Sequence, residues 1–347
     1  MATKDRPWSR ESDRKLSRRD VLSLAASASI VVATRSVAAA ANDDNPTTTQ
    51  PASEASRSKP WWLVGPDHVR SRVIDTHSKH VLNASVADKL ALTELIIHGV
   101  QSLTLTDNPV DAWQAILGPA KRIVLKFNGV GAPQINTTDA MARALIEALD
   151  AGNYPAGNIA LVEVPEHLET QLKTRAAPRG WGAAIAIGSE KDDLANYVYD
   201  ADAIINVPFL KTHKIAGMTC CLKNLSHAVV RHPARYHQNR CSPYVGQIVG
   251  SGAITKRLKL NIVNAIRTVA DNGPDATERD IYAHGGILLG YDPVATDAVA
   301  LDILLRQRRE LGLAGRLDVP YLDDARQRGV GRMRVTEIDR MVLEVGK

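Results

Sequence analysis

The sequence predicts an α/β fold: a mainly parallel sheet with helices on both faces, preceded by an export signal and a linker. Apolar runs of strand length alternate with amphipathic stretches of helix length from residue 121 onward, the pattern that buries a parallel sheet between helical layers. At 347 residues the chain is long enough for one large α/β domain or two small ones. Three cysteines, two of them adjacent, give no disulfide framework and no CxxC pair, so neither an iron–sulfur cluster nor a zinc ribbon has its usual spacing.

Residues 1–41 read as a twin-arginine signal peptide. A charged head leads to Arg18-Arg19, an apolar stretch runs from Val21 to Ala33, and small residues stand at Ala38, Ala39 and Ala40. Cleavage is expected after Ala40 or Ala41. The apolar stretch is shorter than the about 20 residues a membrane span needs, and no second run of that length follows. The expectation is an exported, soluble protein, periplasmic or extracellular, that meets the twin-arginine export machinery and keeps no stable membrane span after cleavage. That route carries folded proteins, often with a cofactor already loaded. The signal also accounts for the charge: its eight Lys and Arg against four acids supply +4 of the net +5. The body is nearly neutral and only 4% aromatic. It offers neither an electrostatic footprint for phosphate backbones nor stacking platforms, so no nucleic acid is expected as a partner.

Residues 42–59 are polar and rich in Pro, Ser and Thr, a disordered linker. Residues 60–120 form a helical lead-in, with SVADKLALTELIIHGVQSL its clearest amphipathic stretch. The α/β domain proper then occupies 121–347. RIVLKFN (122–128) is a strand with a charged finish, and TTDAMARALIEALDAG a helix capped by Thr137 or Thr138 and stopped near Gly152. NIALVEV (158–164), DAIINVPF (202–209) and LKLNIVNAI (258–266) are strands, and EHLETQLKTR is a helix. GGILLGY (285–291) is a short strand feeding a helix that Asp292 caps and Pro293 opens.

In open α/β sheets, ligands bind beyond the carboxyl ends of strands. Several strands here end in ionisable or amide groups: Lys126 and Asn128, Glu163, Lys211 and His213, and Asp292 after the last. Their recurrence predicts a shared site. Lys211 and Lys223 can anchor an anion, and a partly buried lysine can also serve as a base or a covalent amine. His213 suits acid/base work. Asp297 sits at the edge of the apolar stripe of the helix from Pro293 and needs a partner, either a loop amide or a site lysine. The spacing His237-x3-Cys241 puts two metal-capable side chains on one helical face. The plainer alternative is an ordered loop lining a cleft, with Cys241 simply buried.

The segments IVLKFNGVG, TTDA, IINVPFLKTHKIAGMTCCLKN, NGP (272–274) and YDPVATDAVALD together resemble the domain of unknown function 362 family over about residues 121–303. The resemblance implies little about activity, because that family is largely uncharacterised. Some members carry a ferredoxin-like iron–sulfur module, whose cysteines are missing here. Ala140 stands where the family usually has proline, and Asn264 where an aspartate is common. A more distant likeness is to the nickel-pincer lactate racemases. His213 and Lys223 are ten apart, as are a histidine and the cofactor-bearing lysine of those enzymes. His167 and His237 look like their further histidines. That likeness implies a transition metal or a cofactor held covalently on Lys223.

Two functional readings follow. In the first, an exported α/β protein gathers Lys126, Asn128, Lys211, His213, Lys223 and Asn224 around a small anionic ligand. Its ligand would be a hydroxy or keto acid, with His213 as acid/base and Lys223 holding the cofactor or the carboxylate. In the second, the same cleft serves a non-catalytic binding or accessory protein for metal or cofactor handling.

Overall fold

The computed structural model describes residues 31–33 and 59–346. The twin-arginine pair and the linker up to residue 58 lie outside the described residues. Of the expected signal, only β1 (Val31–Ala33) is described, as a short strand antiparallel to the last one.

The central sheet contains β2 (Ser71–His77), β3 (Ile123–Lys126), β4 (Ile159–Val162), β5 (Ala203–Asn206), β6 (Phe209–His213), β7 (Gly217–Thr219), β8 (Leu258–Val269), β9 (Ile281–Gly290) and β10 (Ile338–Glu344). Its order is β1-β10-β2-β9-β8-β5-β3-β4, with β6 alongside β8 and β7 alongside β6. The pairs β4–β3, β3–β5, β5–β8, β8–β6 and β2–β10 are parallel. β9 runs antiparallel to both its neighbours. This is the mainly parallel α/β sheet the strand–helix alternation predicts.

Helices cover both faces. α1 (Lys89–Thr104) brings Gly99 against Leu289, where an added Cβ would lie 2.5 Å from the leucine Cδ1. α2 (Pro293–Glu310) brings Thr296 to within 2.4 Å of where a Cβ on the next residue, Gly290, would stand. Neighbouring strand residues point to opposite faces, so α1 and α2 sandwich the sheet. Among the described residues no helix is long and apolar enough to cross a membrane.

Three local readings change. The lead-in 60–120 is helical over α1 and over Pro109–Leu117, but it also supplies β2, a fully integrated sheet strand. Its SRVIDTH sequence mixes polar with apolar residues because β2 buries serine, aspartate and threonine as well as valine and isoleucine, which hides the apolar run that marks an interior strand. Residues 202–209 are not one strand. β5 ends at Asn206, and the chain resumes as β6 after Pro208, which has no amide hydrogen to give the ladder. The twelve-residue β8 bridges this break: Asn261 is opposite Asn206 of β5, and Asn264 and Val269 are opposite Phe209 and Lys211 of β6. Lys211 and His213 therefore stand on a strand rather than on a loop leaving one.

The third change concerns Asp292, expected among the ligand-binding groups. It is fully buried at the head of α2 and accepts from the amides of Val294 (2.8 Å), Ala295 (3.0 Å) and Arg332 (2.8 Å) and from the Ser71 hydroxyl (2.7 Å). Its whole acceptor capacity goes to the helix cap and to tying β2 and the C-terminal segment together, so it is a structural carboxylate. Asp292→Ala should destabilise the fold by about 2 kcal/mol or more, read as a lowered denaturation midpoint with an unchanged slope.

Candidate functional site

A cavity of about 290 Å³ opens where the chain leaves β3, β4 and β6. Its floor is Asn128, Lys211 and Asn224. Lys223 and three histidines, His213, His227 and His237, form its walls, and Glu163 stands at its rim. The site thus lies beyond the carboxyl ends of β3, β4 and β6, as strand-end chemistry predicts.

The floor is a network of buried amides and ammonium groups. Lys126 is completely buried just beneath the cavity. It donates to Glu163, to the Phe127 carbonyl (2.9 Å) and to Asn224 Oδ1 (2.8 Å). Asn128 Nδ2 reaches the same oxygen at 3.0 Å. Asn224 passes the pattern on by donating to Asn206 Oδ1 at 2.8 Å. Asn206 donates to Asn261 Oδ1 at 2.9 Å, and Asn261 to the carbonyls of Gly290 and Tyr291 at 3.1 Å. Lys211, 1% exposed, donates to Asn128 Oδ1 (3.1 Å) and to the Val130 carbonyl. Every amide therefore has its orientation fixed by a neighbour. Glu163 holds the left-handed backbone conformation at φ +61°, a strain that a non-glycine residue keeps only where its surroundings enforce it. Its side chain is held by Lys126.

The helical turn Cys221–Asn224 presents Lys223 and Asn224. Asp297, reaching from α2, accepts from the Cys221 and Leu222 amides at 2.7 and 3.1 Å. Of the two partners left open by the sequence, the loop amide is the one found: Asp297 seats the turn from behind and does not line the cavity. Burial pushes its carboxyl up to about 6.

The cations are poised by desolvation. Burial pushes Lys211 and Lys223 down to about 8, helped by the like charge of Lys126. Lys126 also falls, through burial, against the pull of Glu163. Burial and the Lys223 charge bring His213 to about 4 and His227 to about 2, and they lower His237 as well. The three imidazoles are therefore neutral at pH 7, and their tautomers follow from their partners. His213 Nδ1 accepts from the Ile215 and Ala216 amides, both at 3.2 Å, so its Nε2 carries the hydrogen. His237 Nδ1 faces the Pro233 carbonyl at 3.2 Å and must donate to it. Its Nε2 is then a lone pair, 3.3 Å from Lys223 Nζ. His213 is thus a donor and His237 an acceptor, whereas the sequence pointed to His213 for both roles.

His237 and Cys241 do come together, joined by His227, with ligand atoms within 4.8 Å of one another. The reason is not a shared helical face. Residues 233–241 contain two short helical turns across a kink, and Asn239, Arg240 and Cys241 all have positive φ. Cys241 is fully buried behind the wall. The donor types are those of a soft or borderline metal, but their ring nitrogens are already engaged: His227 lies 2.8 Å from the Ser226 hydroxyl and 3.1 Å from the Tyr236 carbonyl, and His237 Nε2 receives Lys223. His167 is exposed on the helix Glu166–Leu172, away from the cavity lining. Asn264 pairs with the Thr137 hydroxyl at 3.0 Å and takes no part in the cavity lining. Asn206, Asn261 and His227 are further site groups, not among those expected from the sequence. Asn261 inside β8, where asparagine is disfavoured, carried a signal, and Asn206 at the very end of β5 was itself a strand-end group.

Residues 184–302 match the family described as Domain of unknown function (DUF362). That segment carries Lys211, His213, Lys223 and His237. Lys126, Asn128 and Glu163 precede it, although the resemblance in the sequence starts near residue 121. No curated protein matches the chain. Among solved structures, the lactate racemase apoprotein of Thermoanaerobacterium thermosaccharolyticum is similar at 10% identity and a TM-score of 0.35, covering 65% of this chain and 55% of that one. A structural-genomics protein of Thermotoga maritima is similar at 12% identity and a TM-score of 0.33, covering 71% and 60%. The chain thus spans under two thirds of either protein.

The lowered lysines carry a stability signature. Lys223 titrates near 8 when folded and near 10.5 when free, so its charge penalises the fold fully below pH 8. The penalty fades as pH rises from 8 to 10.5, where the unfolded chain binds more protons. Lys223→Met should raise the unfolding free energy at pH 7 by up to about 3 kcal/mol. The gain should shrink toward zero by pH 10.5 in denaturant titrations across that range.

Proposed function

We propose that the cavity binds a small hydroxy or keto acid and performs proton transfer on it, in a protein exported through the twin-arginine pathway. The observation that carries this reading is the convergence of Lys211, Lys223, His213 and His237 on one 290 Å³ cavity, with Lys223 Nζ 3.3 Å from His237 Nε2. The volume suits a ligand of a few heavy atoms. Two ammonium groups on floor and wall offer charge-assisted bonds to a carboxylate. The Nε2–H of His213 is a donor for the hydroxyl or carbonyl oxygen, and a neutral imidazole can polarise such an oxygen without itself titrating. The Nε2 lone pair of His237 accepts from the Lys223 ammonium at 3.3 Å; it becomes the proton acceptor when that ammonium turns to negative charge developing on the ligand. Lys126, sealed below, keeps the floor positive. A metal held at His237, or a cofactor on Lys223, would supply a Lewis acid or an electron acceptor to the same oxygen.

The cluster of His227, His237 and Cys241 favours a second reading, in which the protein handles a metal or cofactor without turnover. Calorimetry with a panel of short hydroxy and keto acids tests the first. Binding should appear for the wild type and weaken about tenfold or more in Lys211→Met, the loss of one charge-assisted bond. No binding of any such acid would overturn it. Lys223→Arg then separates enzyme from binder. If the amine does chemistry, turnover vanishes while the fold persists; in a binder the retained charge preserves most of the affinity.

A further inference from the structure

A second constellation lies on strands that contribute nothing to the cavity. Asp75 and His77 are two apart on β2 and project to one face. β10 runs beside β2 with Val342 opposite Asp75, which sets Arg340 on that face too. On the other side, β9 places Gly286 opposite His77. β9 then turns at Gly285, φ +73°, and His284 folds back over the pair. Asp75 Oδ1 comes to 2.7 Å from His77 Nε2 and 3.5 Å from His284 Nε2, and the two imidazole centroids are 4.5 Å apart. All three ligand atoms lie within 4.8 Å of one another.

The hydrogen bonding of this cluster is incomplete in a telling way. Asp75 is 1% exposed, and its Oδ2 is taken by Arg340 at 2.6 Å, which Asp302 holds in turn at 3.0 Å. His77 Nδ1 faces Gly286, where an added Cβ would lie 2.9 Å away. That leaves Nε2 for Asp75. Asp75 Oδ1 and His284 Nε2 are buried without a well-formed hydrogen bond, and what faces that oxygen is the close ion-pair approach of His77 at 2.7 Å and of His284 at 3.5 Å. Three ligand atoms thus converge with the outer partner of Asp75 already in place, and buried polar atoms left so need an occupant.

The geometry points to a metal site: Asp75, His77 and His284 bind a divalent first-row transition metal. Two imidazoles and one carboxylate suit zinc, iron(II), cobalt or nickel and disfavour the oxygen-seeking magnesium and calcium. Arg340, held by Asp302, is the outer support that fixes the orientation of Asp75. The two histidines keep 19% and 13% side-chain exposure, so the cluster lies near the surface.

The untagged full-length protein tests this, carrying His237→Ala and Cys241→Ser so that the cavity's cluster keeps only one of its three donors, His227. Cobalt(II) is titrated while visible absorption is followed, with far-ultraviolet circular dichroism reporting the fold. One cobalt per chain is expected, with ligand-field bands and no thiolate charge-transfer band. His284→Gln in that background should weaken it more than about tenfold with the fold unchanged, and His77→Gln should do the same. No cobalt uptake by the folded background protein, or the same affinity in both glutamine variants, would overturn the site and leave Asp75 and His77 as an ion pair only.

Discussion

The amide of Asn224 is the contact on which the cavity depends. Its oxygen receives the buried Lys126 ammonium and the Asn128 amide together, and its nitrogen points on to Asn206. An ammonium group with no exposure is tolerable only if its hydrogens all find acceptors, and Glu163, Phe127 and Asn224 supply them. One interaction therefore does two things. It fixes β3 to the turn that bears Lys223, and it orients Asn128 so that its oxygen is free for Lys211. Asp297 completes the support by holding the turn from the far side.

Much of this could be read from the chain, for physical reasons. β3, β4 and β5 announce themselves because they are buried on both faces and so appear as unbroken apolar runs, and Asp292-Pro293 announces a helix start. That Asn128, Lys211 and His213 lie near one another was legible because polar groups at the end of an interior strand sit at the carboxyl edge of an open sheet. β2 was hidden because its polar residues are satisfied by partners more than two hundred positions away, such as Asp292 for Ser71 and Arg340 for Asp75. The tautomers were hidden for the same reason: the Pro233 carbonyl and the Ile215 and Ala216 amides assign them, and only the fold brings those groups to the rings. Asp292 misled because a carboxylate after a strand fits a cap as well as a ligand site.

The sheet also divides its polar chemistry. The parallel half, β4-β3-β5-β8 with β6, carries ammonium groups and amides that point to one end, which makes that end positive. The half built on β9, β2 and β10 carries aspartates, arginines and imidazoles that neutralise one another within the sheet. β8 and β9 lie between, joined by the amide of Asn261 donating to the carbonyls of Gly290 and Tyr291. The polar relay from the floor thus ends on main chain and does not run on into the second cluster.

The long strand β8 has one more effect. Because it is laddered to β5 over its first part and to β6 over its second, the floor beneath Lys126 and Lys211 is clamped along its full length and cannot widen without breaking sheet hydrogen bonds. The opposite wall, residues 233–241, has no ladder, only short turns and consecutive left-handed residues. The cavity therefore has one side held by sheet hydrogen bonds and one side free to change shape without breaking any.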